Sequence, residues 1–272
     1  MELYETGNDT IWTNPYIREQ LLQAHLSPDS DAASRKPETI RMTVDWVLKH
    51  RAHPGSIIDL GCGPGLYSRE FAVRGWTVVG VDINESALRH AVETARSTGL
   101  PIQYRRQSYL DRIDAGTFDI ATCIYCDFGA LTTDQQMTFL SNARQLLKPD
   151  GELLFDVFGP GISQTLEAGR SWEQEDADGF WSKSPCYVLS EYQHFEDEAV
   201  WGRKYVVIPD SGAPAVYVMW DHYFTVARLE ALLTAAGFSV IETKSDLVPQ
   251  SDFTSSDVLF VRARKAGTKH CR

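Results

Sequence analysis

The residues best suited to chemistry gather in one short stretch. Ile57-Ile58-Asp59-Leu60 is an apolar, β-prone run that leads directly into Gly61-Cys62-Gly63-Pro64-Gly65. Glycines at a strand-to-helix turn permit positive φ and remove the Cβ atoms that would hold a ligand away from the backbone. Here they stand at alternate positions, and the third glycine of a dinucleotide fingerprint would fall at Leu66. Asp59 points the same way. A carboxylate beside the loop repels a pyrophosphate and suits a cationic ammonium group. Asp82 follows Gly61 by 21 positions, at the end of the next apolar run, where a carboxylate can accept bonds from both hydroxyls of a ribose. Asp82 is common to several nucleoside ligands, so Asp59 makes the choice and disfavours NAD.

Holding such a loop requires parallel strands. From 56 to 158, short β-rich runs alternate with helical stretches, the signature of βαβ units. Strands are expected at Ser56–Leu60, 77–81, Ile102–Arg106, 118–125 and 152–158. Helices are expected at 66–74, from an Asn84 N-cap to just before Gly99, and at 134–147, the last ending in a Lys148-Pro149-Asp150-Gly151 turn. The pattern resumes at Thr225, which caps a helix over 226–236, followed by Gly237 and strands at 238–243 and 258–263. The expected fold class is α/β: a seven-stranded, mostly parallel sheet with helices on both faces, over residues 51–158 and 222–265. Residues 159–221 have another texture, with Trp172, Trp181, Trp201 and Trp220 and three strand-like segments, Cys186–Phe195, 200–208 and 215–224. They are expected to form a small antiparallel β lid. In residues 1–50, helical segments at 16–25 and 37–49 flank a polar loop, and Tyr4, Trp12 and Tyr16 are unusual for a disordered tail. An N-terminal helical cap is expected.

Composition narrows the function. A net charge of −11 and a pI near 5.1 repel a phosphate backbone, so nucleic acid is not the expected partner. The basic tail, Arg262 to Arg272, reads as a solvated end. No apolar run approaches the roughly 20 residues that span a bilayer, and the first residues lack signal-peptide character, so the cytoplasm is the expected location. Five scattered cysteines do not form a disulfide framework. Cys123 and Cys126 have C-x-x-C spacing, but residues three apart on an extended segment face opposite ways, and no metal site is expected.

With the strand, loop and acid in place, the sequence resembles the class I (Rossmann-like) methyltransferases that use S-adenosylmethionine (SAM), of the small-molecule type. The resemblance covers residues 56–158 and 222–263. It implies SAM as cofactor and S-adenosylhomocysteine as product, with Gly61, Cys62 and Gly63 against the methionine and ribose parts and Asp59 near the amino group. It further implies Asp82 on the ribose and Ile83 against the adenine. Ser108 stands where an acid usually meets the adenine amino group, with Tyr109 beside it to stack, and Tyr125 to Phe128 border the methionine tail and the acceptor. The motifs of base-modifying members are missing, which disfavours a DNA or RNA base a second time.

Methyl transfer from a sulfonium needs alignment and removal of a proton. Candidate bases are His222, just before the Thr225 helix where related enzymes place a polar residue, His194, and Asp127. Arg35 sits where a cap can reach the cofactor's carboxylate with paired donors. Trp12, Tyr16, Trp172, Trp181 and Tyr223 are candidate acceptor-binding aromatics. The expected activity is methylation of a small molecule, with secondary metabolism as one setting, by a monomer or homodimer. A sulfonium-displacing cyclisation at the same site and a non-catalytic SAM sensor are the alternatives.

Overall fold

The computed structural model describes residues 1–248 and 257–266. Along the chain come α1 (Ile17–Leu26), α2 (Pro37–Leu48), β1 (Ser56–Leu60), α3 (Leu66–Val73), β2 (Thr77–Asp82), α4 (Glu85–Thr98), β3 (Ile102–Arg106), β4 (Phe118–Cys123), α5 (Thr133–Leu146) and β5 (Leu147–Phe158). Then follow β6 (Gly169–Glu175), β7 (Cys186–Phe195), β8 (Val200–Pro209), β9 (Ala215–His222), α6 (Val226–Ala235), β10 (Phe238–Lys244) and β11 (Val258–Lys265). Seven strands form one sheet in the order β10-β11-β5-β4-β1-β2-β3, and β6 to β9 form a second, four-stranded sheet. The run from β5 to β3 is parallel, while β11 lies antiparallel to both of its neighbours. Strand order reverses between β1 and β4, which opens a crevice at their carboxyl ends, where ligands of such sheets bind.

Local signals set the helix ends. The Asn84 side chain accepts from the amides of Ser86 and Ala87, and α4 stops at Gly99 with φ 67°. A capping box of Thr132 and Gln135 starts α5. The period of two along the strands then divides the core. Ile58, Leu60, Ala121, Leu153 and Phe155 meet Phe139 and Leu140 of α5 and Leu229 and Leu233 of α6. Ile57, Ile120, Leu154 and Phe260 meet Val44 and Val47 of α2 and Tyr67 and Phe71 of α3. Each such side chain contributes about 1.5–3 kcal/mol by burial.

Several expectations are corrected. The Lys148 to Gly151 turn lies inside β5, where the register jumps from Phe118↔Leu147 to Ile120↔Glu152 around Asp150, whose φ is 62°. Strand β4 ends at Cys123, because Tyr125 and Cys126 adopt φ of 89° and 59° and break the extended run. The second sheet has a fourth strand, β6, which the sequence conceals: Gly-Arg-Ser-Trp-Glu-Gln-Glu has no buried face and is held by pairing to β7. Residues 1–10 are not helical. Asn8 and Asp9 bond to the backbone of Val216 at the β9 edge. Tyr4 lies against Trp220 and His222 on one face of β9, while Ile11 and Ile17 pack with Tyr217 on the other. The chain thus wraps the edge of this sheet. No helix among the described residues is long and apolar enough to cross a membrane. The Lys269 to Arg272 part of the basic tail lies outside the described residues.

Candidate active site

The crevice is lined first by the glycine loop. Gly61 has φ 73°, and a Cβ there would come within 2.7 Å of Asp127 Oδ2, so no other residue fits without displacing that carboxylate. Asp82 folds over the loop: Oδ2 accepts from the Gly63 amide at 2.7 Å and Oδ1 from the Asn84 amide at 2.7 Å. A carboxylate offers about four acceptor positions, so capacity for two hydroxyls remains. Burial pushes its pKa up against these stabilising amides. Ile83 stands exposed at the mouth beside it. Ser108 Oγ accepts from the Leu110 amide at 3.1 Å, which shapes the turn after β3. The buried Cys62 side chain tucks beneath the loop toward Gly80, leaving only its backbone for a ligand.

Asp59 is corrected. It is buried, with Oδ2 accepting from Ser68 at 2.6 Å and Oδ1 from Thr122 at 2.9 Å. The cause is strand alternation: Asp59 shares the face of Ile57 and Thr122 and points at α3, not up into the crevice. It braces the loop from beneath. The carboxylate beside the loop belongs instead to Asp127, in a short 3-10 turn (Asp127–Ala130) after β4. Burial raises its pKa to about 6, opposed by a hydrogen bond from the Tyr109 hydroxyl. Tyr109 does not lie open for stacking alone, since its ring also packs edge-on to Phe139.

At the other end of the crevice is Arg35, also buried. Its Nη2 lies 3.4 Å from Asp156 Oδ2, its guanidinium lies 4.8 Å from the centre of the Tyr125 ring, and Nε and Nη1 have no hydrogen-bond partner among the described residues. Asp156 Oδ1 accepts from the amides of Tyr125 and Cys126 at 2.7 and 2.9 Å, which holds those two residues in their left-handed conformation. The Tyr125 hydroxyl donates to the Asp31 carbonyl, tying the cap to this turn. From α1, the His25 ring covers Gly63, 3.5 Å from where a Cβ would stand, with Nδ1 2.8 Å from Ser34 Oγ. Burial pushes the pKa of His25 down to about 4, so its ring is neutral.

The candidate bases separate. His222 is fully buried, with Nδ1 2.9 Å from the Gly129 carbonyl and Nε2 2.8 Å from the Tyr4 hydroxyl. A carbonyl only accepts, so Nδ1 carries the proton and Nε2 accepts from Tyr4. Burial lowers its pKa. Both nitrogens are engaged, and His222 is thereby a clamp between the N-terminal segment and the turn after β4. His194 stacks on Trp201 at 4.4 Å and 5°, with Nε2 3.1 Å from the Tyr223 hydroxyl. Of the aromatics, Trp181 packs against Tyr205 and Tyr217 on the cap-facing side of the second sheet. Tyr16 joins that cluster and donates to the Gly179 carbonyl at 2.7 Å. Trp12 is half out in solvent. Trp172 is 70% exposed on the edge strand β6, beside Tyr187, and does not join the cluster. Sequence reasoning missed His25 and Asp156, whose spacing carries no motif.

Residues 57–151 match the family described as a methyltransferase domain. A protein of Geobacillus sp. (strain WCH70) named as a methyltransferase is 29% identical over 230 residues, covering 80% of this chain and 88% of the relative. Two solved structures share the fold. The CcbJ methyltransferase from Streptomyces caelestis has a TM-score of 0.67 at 19% identity, covering 93% of this chain and 98% of that one. SAM-bound CalS10 from Micromonospora echinaspora, an amino pentose methyltransferase involved in calicheamicin biosynthesis, has a TM-score of 0.57 at 17% identity, with coverages of 98% and 99%. The seven-stranded sheet and its glycine loop therefore define a class I, Rossmann-like methyltransferase fold. Residues 57–151 thus carry a methyltransferase domain, and its solved neighbours use SAM.

Proposed function

We propose that this protein transfers a methyl group from SAM to a small-molecule acceptor bound between the crevice and the four-stranded sheet. The observation that carries this reading is Arg35, a buried guanidinium with two unpartnered nitrogens, set across the crevice from the glycine loop. A buried charge without its full set of bonds is costly, and a carboxylate matches the fork it leaves open. Arg35 would hold the methionine carboxylate, Asp127 the ammonium, Gly61 and Gly63 the main-chain edge, and Asp82 the ribose. Asp127 thus takes the part the sequence suggested for Asp59. When bound, SAM supplies a methyl group on a sulfonium, whose leaving group needs no activation.

What the protein adds is alignment and exclusion of water. Tyr125 and Cys126, fixed by Asp156, border the methionine end, and His25 roofs the loop. His222 acts as a positioning residue through Tyr4 and Gly129. We assign acceptor binding to residues 159–221, with Trp181 and Tyr223 among its walls, and to the cap over residues 1–50. The amino pentose substrate of CalS10, in a protein of the same fold, supports a small-molecule acceptor and a setting in secondary metabolism. The test is twofold. Thermal shift should show stabilisation by SAM and S-adenosylhomocysteine and none by NAD, and an acceptor panel should release S-adenosylhomocysteine. Stabilisation by NAD alone overturns the reading; SAM binding with no turnover on any acceptor replaces it with a sensor.

A further inference from the structure

The four-stranded sheet turns one face toward the cap and the crevice, and alternation ranks its side chains in rows. Trp201, His194 and Asp221 form the row nearest the crevice; Tyr192, Arg203 and Met219 form the next; Ser190, Tyr205 and Tyr217 the one beyond. Successive rows stand about 7 Å apart, two residues of strand rise. The outermost row, Val188, Val207 and Ala215, is roofed by Ile11 and Ile17 of the cap. This face is therefore covered by the cap at its tip, while at its base Trp201, the register partner of Asp221, packs with Cys126 at the crevice.

Arg203 Nε lies 2.7 Å from Asp221 Oδ2, and the Arg203 side chain is 18% exposed. Although they are in ion-pair contact, Arg203 Nε and Asp221 Oδ2 make no well-aligned hydrogen bond among the described residues. Beside Arg203, the hydroxyls of Tyr192 and Tyr205 lie 2.6 Å apart, so one donates to the other and the second keeps a free proton. Tyr192 is the register partner of Arg203, and Tyr205 stands two residues along β8 on the same face. A guanidinium aimed by a carboxylate behind it, with a phenol donor at its flank and aromatic walls around it, is a receptor for an oxyanion.

Resting on the methyltransferase reading above, we infer that the acceptor carries a carboxylate, which Arg203 and the Tyr192–Tyr205 pair bind one row above the reacting end. The nucleophilic atom then lies at the level of Asp221, toward the crevice, about 7 Å from the anion. That span fits a six-membered ring bearing the nucleophile opposite the acid. The same site disfavours the corresponding amide, which would leave the guanidinium buried beside a neutral group.

Calorimetric titration of the S-adenosylhomocysteine complex with 4-hydroxybenzoate and 4-aminobenzoate, each against its carboxamide, tests this directly. The acids should bind at least tenfold more tightly than the amides, and Arg203→Gln and Tyr205→Phe should each erase most of that preference. S-adenosylhomocysteine should bind the two variants as it binds the parent. Equal binding of acid and amide to the parent overturns the inference, as does absence of acid binding; neither comparison requires a variant. Failure of S-adenosylhomocysteine to bind the parent sinks the cofactor reading itself, a separate outcome.

Discussion

Replacing Arg35 by alanine tests the proposed methionine end of the cofactor site. The two nitrogens without partners, Nε and Nη1, are the donors available to a carboxylate, while Nη2 stays on Asp156. A hydrogen bond to a charged group contributes about 1.5–3 kcal/mol. At about 1.4 kcal/mol per decade, loss of even one such bond raises the Kd for SAM or S-adenosylhomocysteine by roughly 10- to 150-fold. Asp156 keeps both amide donors, Tyr125 and Cys126, so the turn after β4 survives the change. The assay is calorimetry with S-adenosylhomocysteine and, in parallel, with 5′-methylthioadenosine, which lacks the amino-acid arm. Arg35→Ala should weaken the first and leave the second within about twofold, and Arg35→Lys should fall between because it keeps charge but loses the fork. Equal weakening of both ligands would show that Arg35 acts on the fold and not on the carboxylate.

Three further outcomes follow from the same geometry. Asp127→Asn should lower SAM affinity yet raise Tm near neutral pH: the folded pKa of Asp127 lies near 6, above its unfolded value, so ionisation costs stability as pH rises from about 4 through 6, and the gain in Tm should vanish toward pH 4. Asp59→Asn should do the reverse, lowering Tm by forcing an amide against two hydroxyls that both donate, while S-adenosylhomocysteine affinity changes less than threefold; a larger loss of affinity would restore Asp59 to the ligand. Tyr4→Phe leaves His222 Nε2 buried without a donor and should cost about 1–3 kcal/mol in urea denaturation, with m unchanged.

The fold was largely legible because its signals are local. Asn84, Gly99 and Thr225 mark helix ends by their own chemistry, and β-branched runs mark the buried parallel strands. What failed depended on pairing or direction. Strand β6 has no apolar alternation to announce it, and the turn at Lys148 is absorbed by a register shift that only the neighbouring strand defines. In the site, the glycine loop and Asp82 were readable because chain spacing fixes them. Asp59 was misdirected because its type was read without its parity: a residue two positions before Gly61 on a buried strand faces a helix. Arg35 could be named as a residue type in a cap, whereas its partner Asp156, 121 positions away, is set by the sheet order alone.

The wrapped edge of the second sheet also orders events during folding. Tyr4 bonds to His222 and Asn8 to Val216, separations of 218 and 208 positions. During synthesis at 5–20 residues per second, those early residues wait on the order of tens of seconds before their partners exist. The parallel strands β1 to β5 and their helices need nothing from them. Residues 1–10 are therefore late to dock, completing the edge of the second sheet only once β9 exists, whereas α2 can pack on the parallel strands as they form.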